Sequence, residues 1–416
     1  LNQSGVNCGA ITVFDKSGDS ITLELTHCAK KPRRYDGEKE GSMSRKNLWS
    51  NRSAGFAIVV AFVVGILAAA SLRESSTARV AQSDNGPFDV AQAVSWRVPI
   101  AFGSNLPALG DNILYVTESL KVSSNNRIKL QVFEPGMLMP AFSITDSVRD
   151  GKVEAGYTWL GYDQGKIAAT PLLSAVPFGM EPWEFTAWYF EDEGKMLTEA
   201  VYAEHNIHPV LCGIIGPETA GWFRKRIDTL EDLRGLKIRF AGLGGKVLQK
   251  LGASVTLIPG GEIFQALEKG AIDATEYSMP AVDQMLGFDR VAKYNYFPGW
   301  HQTFTAAHLV VNKPVWDRLP ASDKELINTT CTAGVMRNLS RGEAIQGEVM
   351  QGFAAKGVTT VKFPEAILRE LKVVTEDVLR EEAESDEDFA RIWASQKRFQ
   401  ASYQHWKRNA YLDRDF

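Results

Sequence analysis

Arg239 and Glu276 are the residues of this 416-residue chain whose types and spacing best fit binding chemistry. They fall in a stretch, residues 236–280, that reads strand, helix, strand, Pro-Gly-Gly-Glu, helix, strand. Ligands of open α/β sheets bind outside the carboxyl ends of the strands. A cation and an anion at two such ends therefore suit a small charged molecule. Arg239 serves either as half of a structural salt bridge or as a clamp on a carboxylate, to which the planar guanidinium fork is matched. Glu276 serves either as a surface or capping carboxylate or as an oxygen ligand for a hard cation. Asp273 lies three residues earlier and so points to the opposite face of the strand, which separates it from Glu276.

A second tier of residues surrounds this pair. Glu218 sits in a predicted loop with Pro217 and Thr219 as neighbours. Trp159, Tyr162, Trp222, Tyr277 and Trp300 stand near predicted strand ends. Buried aromatic residues mostly build core, but some can wall a pocket that excludes water, and Trp159, Tyr162 and Tyr277 are the ones expected to do so. Phe102 and Asn105 occupy the first strand–helix loop, a usual ligand position. His301 and Gln302 follow Pro298-Gly-Trp. The chain has no CxxC, HExxH or dinucleotide GxGxxG pattern and no Ser or Cys nucleophile motif, so His301 is read as a binding or packing residue rather than a catalytic base.

The elements that must position these residues follow from periodicity. Strands at 96–102, 128–133 and 155–159 alternate with helices at 111–123 and 142–150, the mark of a wound α/β layer. Helices at 181–204 and strands at 208–214 and 221–226 come next, then a capped turn at 229–235. A second α/β segment runs from 236 to 276 and implies a second lobe. An apolar strand at 304–312 precedes one long helical pattern from 321 to about 355 and a short strand at 358–363. Beyond Pro364 the chain reads as charged helix with Phe389, Ile392, Trp393, Phe399, Tyr403 and Trp406 at helical spacing. That stripe is expected to pack on the chain's own core, with a dimer contact as its second use.

Composition bounds the rest. Apolar residues make up 44% and charged residues 23%, ordinary for a globular protein with room for two domains. The net charge is −4, with residues 1–72 contributing +3 and the remainder −7, which argues against a nucleic-acid binder. Met43 opens a basic segment, Ala54–Leu72 carries no charge, and Ala68-Ala69-Ala70 supplies small residues for cleavage. Residues 43–72 read as a signal peptide, with an uncleaved membrane anchor as the rival. Leu1–Ser42 reads as an upstream translation artefact and 73–95 as a flexible lead. Cys212 and Cys331, in a predicted strand and helix, read as two buried thiols, with a disulfide in an oxidising compartment as the alternative.

Six ordered segments, at 157–166, 221–225, 235–239, 258–262, 266–276 and 297–302, together resemble the periplasmic substrate-binding subunits of tripartite ATP-independent periplasmic (TRAP) transporters. The resemblance runs from about Trp96 to the C-terminus, and its branch is that of α-keto and α-hydroxy acid binders carrying a metal ion. It implies an α/β two-lobe periplasmic binding protein fold with a cleft between the lobes and a long bridging helix. Lobe I would hold 96–216 and about 305–340, lobe II 217–304 and about 341–364, and 365–416 the C-terminal helices. It also implies a small organic acid ligand, delivery to a TRAP membrane permease, and a periplasmic location.

By the same resemblance, Arg239 takes the substrate carboxylate and Glu276 the metal. Tyr277 stands where relatives often have Trp, with its carbonyl toward the metal. Glu218 stands where relatives often have Gln, as a ligand of metal and substrate. The metal is Ca²⁺ or Na⁺, and two carboxylates raise the charge of the site in the direction of a divalent ion such as Ca²⁺. The remaining substrate-binding expectations are Trp159, Tyr162, Phe102, Asn105, His301 and Gln302. Two rivals stay open: a metal-dependent hydrolase or lyase using the same carboxylates, and a membrane-anchored sensor ectodomain.

Overall fold

The computed structural model describes residues 10–14, 20–24 and 93–412. The chain divides into two compact units, 1–86 and 87–416. In the first, β1 (Ala10–Phe14) and β2 (Ser20–Glu24) pair antiparallel. The expected leader at 43–72 lies outside the described residues. Among the described residues, no helix is long and apolar enough to cross a membrane.

The second unit is built on a two-stranded and a three-stranded sheet, joined by one bridge and together the first sheet, and on a six-stranded second sheet. Parallel strands β3 (Val94–Pro99) and β4 (Ile128–Phe133) bracket α1 (Asn112–Ser123). A bridge from Ile100 to Tyr157 continues them into β5 (Ala155–Trp159), which follows α2 (Ile144–Arg149). Helices α3 (Pro182–Glu191) and α4 (Gly194–Ala203) lead to β6 (Ile207–Ile215). β5 and β6 flank the later strand β12 (Thr305–Asn312), antiparallel on both sides.

The other sheet has six strands. It contains β7 (Gly221–Phe223), β8 (Lys237–Arg239), β9 (Ser254–Thr256), β10 (Ala274–Thr275), β11 (Tyr294–Phe297) and β13 (Thr359–Lys362), in the order β13-β11-β7-β10-β8-β9. Helices α5 (Gly242–Lys250) and α6 (Gly260–Glu268) wind around its parallel β9-β8-β10 half. The turn entering β8 is closed by a capping box in which Asp232 accepts the Thr229 N–H at 2.8 Å. Short helices α7 (Pro280–Met285) and α8 (Phe288–Val291) precede β11.

The chain crosses between the sheets at 216–220, leaving β6 for β7, and returns at 298–304 into β12 (Thr305–Asn312). After α9 (Lys313–Asp317), the 31-residue α10 (Ala321–Gln351) packs along β6 and α1 on one side and α7 on the other, and so bridges both sheets. Helices α11 (Glu365–Ser385) and α12 (Glu387–Ala410) close the chain. Phe389 and Ile392 are buried, the Trp188 indole N–H donates to Ser395 at 3.0 Å, and Gln396 donates to the Leu172 carbonyl at 2.6 Å. The first half of the aromatic stripe thus packs on the chain's own core.

Cys212 and Cys331 form a disulfide, against the expectation of two thiols. Both are fully buried, as expected. Their pairing depends on α10 lying close against β6. Gly334, one turn beyond Cys331, permits that approach, because a Cβ there would stand 2.7 Å from the Cys212 carbonyl oxygen. A separation of 119 residues hides this adjacency from any local reading.

Candidate functional site: a buried Glu-Glu-His cluster beside Arg239

Four nearly solvent-free side chains meet where the two crossovers touch the second sheet. Relative exposures are 3% for Glu218, 1% for Arg239, 1% for Glu276 and 2% for His301. Arg239 ends β8 and Glu276 follows β10, the neighbouring parallel strand. Glu218 lies on the outgoing crossover and His301 on the returning one. The crossovers touch directly: the Glu218 N–H donates to the Gln302 carbonyl at 3.2 Å. Gly299 is required there, since a Cβ would lie 2.1 Å from the Glu218 carbonyl oxygen.

Arg239 donates through Nη1 to Glu276 Oε1 at 2.6 Å and to the Glu276 carbonyl at 2.8 Å, and through Nε to the Ile258 carbonyl at 3.1 Å. The Ala241 N–H, at the start of α5, gives Glu276 Oε1 a second donor at 2.6 Å. Glu218 Oε1 accepts from the Thr305 hydroxyl at 2.7 Å, and that hydroxyl also lies 2.6 Å from Gln302 Oε1. These bonds occupy one oxygen of each carboxylate. Glu218 Oε2, Glu276 Oε2 and both His301 ring nitrogens are buried with no hydrogen-bond partner among the described residues. His301 Nε2 stands 3.6 Å from Glu218 Oε2 and 3.8 Å from Glu276 Oε2.

Burial and charge pull the two carboxylates apart. Burial pushes the Glu218 carboxyl up, with His301 only partly offsetting it. For Glu276 burial acts the same way, but the Arg239 charge, His301 and the Ala241 N–H outweigh it and hold the carboxyl below its ordinary value. Burial opposes the His301 imidazolium, and the two glutamates overcome that and raise it. Buried polar atoms without partners are costly, and removing charges from water costs several kcal/mol per ion. Three converging, unpartnered donor atoms are therefore a motif that a cation would satisfy. Glu218, Glu276 and His301 each offer one ligand atom, all within 4.8 Å of one another.

The other expected site residues distribute unevenly. Tyr277 is buried, and its ring lies 5.3 Å from the Arg239 guanidinium carbon. Tyr162 stands close enough to Arg239 and both glutamates to feel their charges, although burial is the main cause that pushes its phenol up to about 12. Trp159 packs edge-on against Tyr162 at 5.0 Å, and Phe102 lies 6.2 Å from the same ring. Gln302 is buried and joins the cluster through Thr305. Asn105 is exposed, and among the described residues no hydrogen bond ties it to the cluster. Trp222 is core to the second sheet and donates to Asp283 at 2.8 Å. Sequence reasoning passed over Thr305 and the Ala241 N–H. The first sits at an unremarkable strand start, and the second is a backbone group that only the strand-to-helix turn aims at Glu276.

The family model for bacterial extracellular solute-binding protein, family 7 (DctP), matches residues 105–386. A monocarboxylate 2-oxoacid-binding periplasmic protein of Nostoc sp. is 32% identical over 348 residues, covering 82% of this chain and 95% of its own. Two solved TRAP solute-binding proteins superpose closely. One, from Pseudoalteromonas atlantica with bound sodium and pyruvate, is 31% identical, with a TM-score of 0.74 over 77% of this chain and 97% of its own. The other, from Bordetella bronchiseptica, is a mixed-occupancy dimer with copurified calcium and picolinate. It is 30% identical, with a TM-score of 0.75 over 77% of this chain and 95% of its own. The chain belongs to the DctP family of bacterial extracellular solute-binding proteins, the solute receptors of TRAP transporters, and is a binding protein rather than an enzyme.

Proposed function

We propose that this receptor binds a small 2-oxo or 2-hydroxy monocarboxylate of the pyruvate or lactate kind together with a metal cation. The observation that carries the reading is the set of unpartnered donor atoms of Glu218, Glu276 and His301 beside a buried arginine. Glu276 and Glu218 would hold the cation, with the Tyr277 carbonyl and His301 as further ligands. The cation would supply positive charge for the acid's carboxylate and its 2-oxygen, which favours 2-oxo acids over plain carboxylates. Arg239 Nη2, whose sister nitrogens are committed to Glu276 and Ile258, would take the carboxylate directly. Tyr277, Tyr162, Trp159 and Phe102 would exclude water around it, and Gln302 would complete the polar rim.

Two relatives support the ligand class, one holding sodium with pyruvate and the other, the Nostoc protein, described as monocarboxylate 2-oxoacid-binding. Oxygen-rich ligation suits Ca²⁺ or Na⁺. The receptor would work in the periplasm, exported by the 43–72 leader, and hand its cargo to a TRAP permease when the lobes close and open. The dimer of the Bordetella relative supports a homodimer here, for which exposed Trp406 near the end of α12 offers apolar surface.

Calorimetric titration with pyruvate, lactate and acetate, in Ca²⁺, in Na⁺ and after chelation, tests the reading. Binding of the two 2-substituted acids but not acetate, weakened by removing the cation, is the expected result. Tight acetate binding with no cation dependence overturns it.

A further inference from the structure

Asp283 is a third buried carboxylate in this region and lies outside the donor set. It sits in the first turn of α7 and is 0% exposed. Oδ1 accepts the Ser278 N–H at 3.0 Å. Oδ2 accepts the Trp222 indole N–H at 2.8 Å and lies 3.4 Å from the Thr219 hydroxyl. These partners come from three separate places: the outgoing crossover one residue after Glu218, strand β7, and the loop two residues after Glu276.

The sheet does not fix those loops by itself. β7 and β10 are paired only at Trp222–Thr275 and Phe223–Ala274. Beyond that pair the ladder continues through a single backbone bond, Thr219 N–H to the Ser278 carbonyl at 3.1 Å. Glu218 and Glu276 extend from these two loops. Apart from Asp283, that one backbone hydrogen bond is the direct tie between the two loops among the described residues, although each carboxylate also has its own partners. Burying an acid near two other acids opposes folding, and burial and the neighbouring charges both raise this carboxyl. Replacing a buried ionisable group by a well-packed apolar one is often neutral or stabilising, so folding alone does not call for an acid here.

We propose that Asp283 is a positioning residue for the cation site: it cross-links the Glu218 and Glu276 loops and sets the distance between their free oxygens. The inference rests on the cation-and-acid reading above. Groups that orient metal ligands typically change affinity by roughly 10- to 100-fold when removed.

The test uses Asp283→Asn and Trp222→Phe in the full chain, titrated with Ca²⁺ alone and then with pyruvate at saturating Ca²⁺. Asp323→Asn serves as a control, because Asp323 is equally buried and pairs with Arg127 far from the site in sequence. The expected result is a Ca²⁺ Kd raised about 10-fold or more in Asp283→Asn and less in Trp222→Phe. Asp323→Asn should lower the melting temperature with Kd unchanged. A folded Asp283→Asn, or Trp222→Phe if Asp283→Asn does not fold, with wild-type Ca²⁺ and pyruvate affinity overturns the proposal. Failure of the wild type to bind either ligand would instead overturn the functional reading.

Discussion

The second sheet and the crossovers present Glu218, Arg239, Glu276 and His301 to the site, whereas the first sheet presents Phe102, Trp159 and Tyr162. The charged side is held rigidly. Each carboxylate has one oxygen fixed by hydrogen bonds, and the arginine is anchored at three acceptors. The aromatic side is held mainly by ring packing, and Trp159 Nε1 has no hydrogen-bond partner among the described residues. Charge recognition needs donors and acceptors fixed before the ligand arrives, because in low dielectric a misplaced charge is expensive. Water exclusion needs only volume and apolar surface, which several packings supply.

Substitutions can break or sharpen this contrast. The largest effect belongs to Arg239→Ala. The guanidinium partners Glu276 in the folded chain, so the change removes the proposed carboxylate clamp and also strands a buried anion. Acid affinity should fall by about 100-fold or more. Folding stability should fall by about 3–5 kcal/mol, measured by urea unfolding. Burial of the pair is why the fold should not survive this change untouched. Wild-type affinity in Arg239→Ala would erase the contrast.

Glu276→Gln comes next, with loss of cation binding by calorimetry and a changed acid limb. The folded Glu276 carboxyl lies below its ordinary value of 4.5. Its contribution to stability is therefore complete above that pH and lost as the pH falls through the lowered folded value. The Gln variant should lose this part of the acid-dependent melting.

Removing the disulfide with Cys212→Ser plus Cys331→Ser should cost about 2–5 kcal/mol of stability. It should leave acid affinity within a few-fold, because neither sulfur reaches the site; a large affinity loss would show that the α10–β6 clamp shapes the cleft. On the aromatic side, Trp159→Phe keeps an apolar ring, and its affinity change should stay near 10-fold or below, about 1.4 kcal/mol at most. The smallest effect should be Asn105→Ala, within about ±0.5 kcal/mol in melting and binding, as for an exposed side chain.

Arg239 and Glu276 could be read from the chain because strand periodicity and the strand-end rule act over a few residues. The elements around them could be read for the same reason: β4, β5 and the capped turn at 229–235 lie where alternation and capping residues place them. Strand β11 was not legible, since Tyr-Asn-Tyr-Phe has no clean alternation and gains its place only between β7 and β13. Asn105 looked eligible by position in a strand–helix loop, yet a loop's backbone path decides which of its side chains turn inward.

The amino-acid order by itself determined the α/β alternation, the long helix, the arginine–glutamate pair and the resemblance to TRAP receptors, all set by local periodicity or by short ordered segments. Only the tertiary structure decided that His301 joins Glu218 and Glu276, that Cys212 pairs with Cys331, and that Asp283 ties two loops together. Those meetings depend on where two crossovers and a bridging helix pass one another in space, and no periodicity along the chain encodes a crossing.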